Sequence, residues 1–116
     1  MLTSGKLYYD IVGSELRGEA QNVAVARIEQ LYPFPVDPAA KLVASYPSLR
    51  EVVWAQEEPQ NMGAWRAIRH RLEEAVAGRP LRYVGRPWRA SPSEGYPTSH
   101  LRAQQRIVGE VLETNA

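Results

Sequence analysis

An α/β domain with a mainly parallel sheet is the fold class this sequence predicts, and three observations predict it. Two short runs, residues 23–28 (VAVARI) and 51–56 (EVVWAQ), are nearly continuous in apolar residues, as strands covered on both faces are. Stretches with apolar residues three or four apart alternate with those runs, which is the rhythm of βαβ units with right-handed crossovers. The 116 residues give room for one domain, 1–116, with a core of its own.

Each element follows from local chemistry. Leu2, Thr3 and Ser4 read as the end of a strand cut short by Gly5; so brief an opening strand predicts that the natural chain continues upstream of Met1. Leu7, Ile11, Val12 and Leu16 recur at helical spacing, with Gly18 as the stop. The run at 23–28 is the second strand. Residues 29–35 (EQLYPFP) must be irregular, because Pro33 and Pro35 exclude a helix interior and hold their predecessors extended. Asp37 before Pro38 reads as an N-cap with proline at the first helical position, opening a short helix through Ala39, Ala40, Leu42 and Val43. Residues 51–56 form the third strand. Asn61 then caps a helix whose apolar positions are Met62, Trp65, Ile68, Leu72 and Val76, and Gly78 closes it. A fourth strand spans 81–85. Residues 86–98 (RPWRASPSEGYPT) form a loop, and Ser99 caps a last helix with Leu101, Val108, Val111 and Leu112 on its inner face.

Composition excludes several functions. The chain has no cysteine, so it has no disulfide frame, thiolate metal site or cysteine nucleophile, which fits a cytosolic protein. A formal net charge of +1 does not argue for nucleic acid. No apolar run approaches the ~18 residues of a membrane span, and the N-terminus has no charged-then-apolar signal pattern.

The stretch 54–65 (WAQEEPQNMGAW) organises the rest. It stands at the carboxyl end of a buried strand, where open α/β sheets place their crevices. Trp54 and Trp65 bracket it and are expected to pin it to the core. Glu57 and Glu58 are adjacent in an extended segment, so they point opposite ways and cannot form an acid/base pair on one substrate. One carboxylate is expected to take Arg66 or a backbone amide, and the other to face water or another subunit. His70 lies between arginines on a helix surface and His100 opens the last helix; neither belongs to a triad or a metal pair. Ser4-Gly5-Lys6 follows a strand and opens a helix, a weak signal for an anion held by backbone amides. Arg79, Arg82, Arg86 and Arg89, interleaved with Tyr83 and Trp88, are expected to meet acidic residues of a neighbouring domain rather than phosphate. The residues alone thus describe a small α/β domain, built for docking or ligand binding at its strand ends.

The segments SGKLYYD (4–10), VARIEQLYPFP (25–35), EVVWAQEEPQNMGAW (51–65) and YVGRPWRASPSEGY (83–96), with the HLRAQQRIV helix after them, resemble the C-terminal domain of the first, decarboxylating component of the 2-oxoglutarate dehydrogenase complex, an enzyme of the transketolase type. The resemblance covers nearly the whole chain. It implies a three-layer α/β/α sandwich with a mainly parallel sheet of about five strands, one commonly antiparallel. It implies that thiamine diphosphate and magnesium are bound outside this chain, so that no catalytic or metal-binding residue is expected here. The implied partners are the upstream domains of the parent enzyme, its homodimer mate and a lipoyl-bearing acyltransferase component, in a bacterial cytoplasm, with Glu57, Glu58, Asn61, Trp65 and Arg86 as candidate interface residues. In the actinobacterial branch this domain resembles a regulatory site for acetyl-coenzyme A, built on the glutamine of the IEQ segment and two arginines. Gln30 matches the glutamine, but Asp37 and Pro38 stand at the arginine positions and cannot hold a phosphate. Ser4, Lys6, Arg27 and Gln30 remain as a possible effector or anion site. The alternative reading is a stand-alone regulatory module for a nucleotide or coenzyme A.

Overall fold

The computed structural model describes residues 1–90 and 95–112. Residues 91–94 of the expected loop and 113–116 lie outside the described residues. Four strands, β1 (Leu2–Thr3), β2 (Ala26–Arg27), β3 (Val52–Pro59) and β4 (Leu81–Arg86), form one sheet in the order β2-β1-β3-β4. Every pairing is parallel, with Leu2 opposite Ala26 and Trp54, and Val52 opposite Leu81. Helices α1 (Leu7–Val12), α2 (Val36–Ala44), α3 (Trp65–Val76) and α4 (Pro97–Leu112) follow the strands in turn.

The side chains of β3 show why this is a sandwich of three layers. Successive residues of a strand point to opposite faces. Val53 and Ala55 pack with Leu7, Ile11, Ile107 and Val111 on the face covered by α1 and α4. Val52 and Trp54 pack with Val43, Ile68, Leu72 and Val76 on the face covered by α2 and α3. Both faces are buried, which is what the near-continuous apolar run anticipated. The sheet has four strands among the described residues, one fewer than expected, and none of them is antiparallel.

Several boundaries differ from the sequence reading, each for a physical reason. The run at 23–28 forms a ladder only over Ala26–Arg27, because its one neighbour, β1, is two residues long. Val23 and Val25 still pack on the core beside it, so apolar burial outlasts the hydrogen-bond ladder. The first helix stops at Gly13, and a 3-10 turn over Glu15–Gly18 follows, capped by the Ser14 hydroxyl accepting from Leu16 N at 3.2 Å. That break resets the face, leaving Val12 and Leu16 exposed rather than inward. α2 begins at Val36, upstream of the expected cap at Asp37; Pro38 is tolerated in the first turn because the amide it lacks would have no helical partner there. α4 likewise begins at Pro97 rather than after Ser99. Its first turn is exposed through residue 102, so Leu101 faces solvent instead of the core. Gly78 does close α3, after Ala77 has already entered the left-handed region at φ 52°.

Candidate functional site

The strand order places a topological switch point between β1 and β3. From β1 the chain crosses to β2 on one side, and later builds β3 and β4 on the other. In open α/β sheets ligand crevices form outside the carboxyl ends of the strands at such a point. Here those ends are Ser4-Gly5-Lys6 after β1 and the last residues of β3.

The residue that shapes this region is Gln56, and sequence reasoning missed it. It is buried within β3, where an amide must find partners or cost free energy. Its Oε1 accepts from Trp54 Nε1 at 3.0 Å and from the backbone N–H of Trp65 at 2.9 Å. Its Nε2 donates to the carbonyls of Glu58, Pro59 and Met62 at 3.1, 3.0 and 2.9 Å. One side chain therefore replaces the backbone partners that the turn lacks and satisfies an N–H of the first turn of α3. The helix begins at Trp65, and Asn61, expected to cap it, does something else. The Asn61 amide donates to the Arg89 carbonyl at 3.0 Å and accepts from the Arg89 N–H at 3.2 Å, clamping the loop after β4 to the turn after β3. The signal for Gln56 was present: a lone amide ending an otherwise apolar run, just before a proline and glycine turn.

Glu57 and Glu58 do point to opposite sides. Glu57 enters a polar network on the α1 and α4 side rather than meeting Arg66, which is exposed. Its Oε1 accepts from Gln104 Nε2 at 2.8 Å and lies 3.3 Å from Lys6 Nζ. Asp10 Oδ2 accepts from Lys6 Nζ at 3.0 Å and from Gln104 Nε2 at 3.2 Å. The hydrogen bond to Asp10 and the charge of Glu57 raise the Lys6 pKa. Arg86, buried, donates to the Glu57 carbonyl at 2.5 Å and to Gln104 Oε1 at 2.9 Å, and its Nη2 lies 3.4 Å from His100 Nδ1. The network joins β3, β4, α1 and α4 across the strand ends. Glu58, on the other side, is exposed and packs under Gly63, where an added Cβ would stand 2.9 Å from its side chain. Gly63 also has φ 65°, so glycine is required there twice over.

Tyr83 closes the region from below. Its hydroxyl lies 2.7 Å from the Arg86 carbonyl and 3.1 Å from that of Glu58, and burial pushes its pKa up to about 12. Trp65 packs on its ring at 5.4 Å.

The structure places the candidate anion residues apart in role. Ser4 lines a cleft of about 630 Å³ shared with Phe34, Glu58, Ile68, His70 and Arg71. Lys6 belongs to the Glu57 network on the opposite face. Arg27 lies over the rings of Tyr8 and Tyr9 at 5.9 and 5.2 Å, donates to the Tyr9 hydroxyl at 2.9 Å and pairs with Glu29 at 3.5 Å. Gln30 donates to the Pro33 carbonyl at 2.9 Å, bracing the proline loop. Among the described residues no hydrogen bond or ion pair joins any two of these four. Of the candidate interface residues, Trp65 and Arg86 are buried within this chain and support the surface from beneath, whereas Glu58 is exposed. Among the arginines around β4, Arg82 pairs with Glu51 of this same chain at 3.0 Å rather than awaiting a second domain.

Residues 1–112 match the family model described as 2-oxoglutarate dehydrogenase C-terminal. The chain is 48% identical over 115 residues to the 2-oxoglutarate dehydrogenase E1 component of Bacillus subtilis, covering 97% of this chain and 12% of that protein. It is 42% identical over 116 residues to the same component of Coxiella burnetii, again with 97% and 12% covered. For Cupriavidus necator the identity is 44% over 109 residues, with 93% and 12% covered. The chain thus spans about 12% of the length of the curated relatives it matches. No helix among the described residues is long and apolar enough to cross a membrane.

Proposed function

Since this chain belongs to the 2-oxoglutarate dehydrogenase C-terminal family, we propose that it acts as the accessory, dimer-packing domain of a thiamine-diphosphate-dependent 2-oxoglutarate dehydrogenase in the cytoplasm. In this reading the parent enzyme oxidatively decarboxylates 2-oxoglutarate, and the succinyl group passes to a lipoyl-bearing acyltransferase component. In this reading thiamine diphosphate and magnesium are held by the parent enzyme outside these residues, and the chemical steps take place there.

One observation carries the structural role. At the switch point, where an α/β domain would present reactive groups, Lys6, Asp10, Glu57, Arg86 and Gln104 bond to one another. Groups spent on mutual contacts tie α1 and α4 to the strand ends and leave a firm surface on which a larger neighbour can rest. Release of carbon dioxide from 2-oxoglutarate by the purified chain, supplied with thiamine diphosphate and magnesium, tests this. The expected result is no turnover, and measurable decarboxylation by the chain alone overturns the reading.

The alternative, a regulatory module for a nucleotide or coenzyme A, draws on the cleft that Ser4 lines, whose volume lies within the roughly 300–1,000 Å³ of small-molecule sites. Calorimetry with acetyl-coenzyme A and with AMP separates the two; saturable heat at submillimolar ligand supports the module.

A further inference from the structure

The cleft of about 630 Å³ that Ser4 lines has apolar walls and polar ends. One wall is the start of α3, where Gly63, Ala64 and Ala67 are too small to fill the gap and Ile68 closes the bottom. The other is the proline segment, whose Leu31 and Phe34 also pack against the core. That segment is braced from within: Gln30 donates to the Pro33 carbonyl at 2.9 Å, and the Val36 N–H to the Phe34 carbonyl at 2.9 Å. A wall held in shape in this way costs a ligand little ordering. The polar groups stand at the two ends. Ser4 comes just after β1 and Glu58 near the end of β3, with the Glu58 side chain against Gly63. His70 and Arg71 lie two turns further along α3, and a helical rise of about 1.5 Å per residue puts about 10 Å of apolar wall between the two sets. Among the described residues, the Ser4 hydroxyl, the Glu58 carboxylate and the His70 ring take part in no hydrogen bond or ion pair. Arg71 pairs with Glu74 at 3.6 Å, but both side chains are about half exposed, so the pair is worth little.

Glu58 and Arg71 cancel in formal charge. A nucleotide or coenzyme A brings more than one negative charge and would meet a single arginine here, with a carboxylate in the same lining. A ligand with one charge of each sign, separated by an apolar body, suits the cleft better. We propose that it binds a short apolar peptide end to end, with the ammonium group on Glu58 and Ser4, the side chains between the walls, and the carboxylate on Arg71 and His70. Three extended residues span about 10 Å, which matches the separation of the polar ends. The inference rests on the module reading of this cleft and changes its class of ligand; the accessory-domain reading stands apart from it.

Titration of the nitrogen-15-labelled 116-residue chain with trileucine, followed by amide NMR shifts, tests it. Saturation with a Kd below about 1 mM is expected, with the shifts centred on residues 31–36 and 63–71. N-acetyl-trileucine amide keeps the apolar body and loses both charges, and is expected to bind about tenfold more weakly. Glu58→Gln and Arg71→Gln are each expected to weaken trileucine about threefold, the size of a partly exposed ion pair. Both side chains are exposed, so neither change is expected to move the unfolding midpoint, and the end-blocked peptide tests the same charges without altering the chain. Equal binding of the free and blocked peptides, or shifts confined to other segments, overturns the proposal. AMP that saturates the cleft where trileucine does not overturns this class of ligand and leaves the module reading in place. Binding of neither overturns both.

Discussion

The turn after β3 and the loop after β4 leave neighbouring strands at the same end of the sheet, yet their described residues meet the core and the solvent differently. The first is held by the single side chain of Gln56, whose five hydrogen bonds run from Trp54 to Trp65, and it is bracketed by those two buried tryptophans. Among the described residues, the loop beginning at Pro87 is tied to the turn by the Asn61–Arg89 pair and presents Trp88 and Tyr96 to solvent. The difference teaches where each segment finds its order. The turn is specified by a buried polar group whose partners this conformation supplies. The described part of the loop carries apolar surface, Trp88 and Tyr96, that this chain leaves exposed.

Removing Gln56 should break the comparison most severely. Gln56→Leu preserves approximate volume but strips partners from the Trp65 N–H, the Trp54 indole N–H and three carbonyls. Each buried group left unsatisfied costs about 1–3 kcal/mol, and partial relaxation toward water still leaves an expected loss of about 3 kcal/mol or more. Urea unfolding followed by tryptophan fluorescence measures it, and a loss below about 1 kcal/mol would show that the turn is held by packing alone.

A smaller effect is expected at Tyr83, which joins the two regions by bonding to carbonyls on both β3 and β4. Tyr83→Phe should cost about 1 kcal/mol at neutral pH, the net value of a partly buried hydrogen bond. The wild-type chain should also lose stability at alkaline pH. The unfolded tyrosine ionises near its ordinary value of 10.0, whereas burial holds the folded one protonated up to about 12. Between those values the unfolded state binds fewer protons than the folded state, so stability falls as pH rises. Thermal unfolding from pH 9 to 11 should show that slope, flattened in Tyr83→Phe; equal slopes in both proteins would place the alkaline transition elsewhere.

What could be read from the sequence, and what could not, divides along the same line. The alternation of strands and helices, the burial of both sheet faces and the closure of α3 at Gly78 all come from short-range patterns, and 3.6- and 2-residue periods are local. The opposed directions of Glu57 and Glu58 follow from strand geometry alone. Gln56 stayed hidden because its partners lie up to nine residues away in a turn whose shape it creates. The start of α3 moved from Asn61 to Trp65 for that reason, since the cap comes from the strand and not from the residue before the helix. β2 shrank because ladder length depends on the neighbouring strand. Leu101 fits the helical period of α4, but a period says which face a residue shares and not whether anything covers that face.

The mildest expected effect sharpens the comparison from the exposed side. Trp65 and Trp88 are the same residue type, one opening α3 and buried against Tyr83, the other just beyond β4 and facing water. Trp65→Ala should cost about 3–5 kcal/mol, as large-to-small changes in a core do. Trp88→Ala should leave the stability of the isolated chain within about 0.5 kcal/mol, because an exposed ring gives up little contact when removed. The same substitution acquires a cost only where the ring is covered. An unfolding midpoint that is unmoved in the isolated chain but lowered in a longer polypeptide would place the value of Trp88 in docking. A loss of about 2 kcal/mol or more in the isolated chain would instead mean that the loop after β4 folds around Trp88, and the contrast between the two regions would disappear.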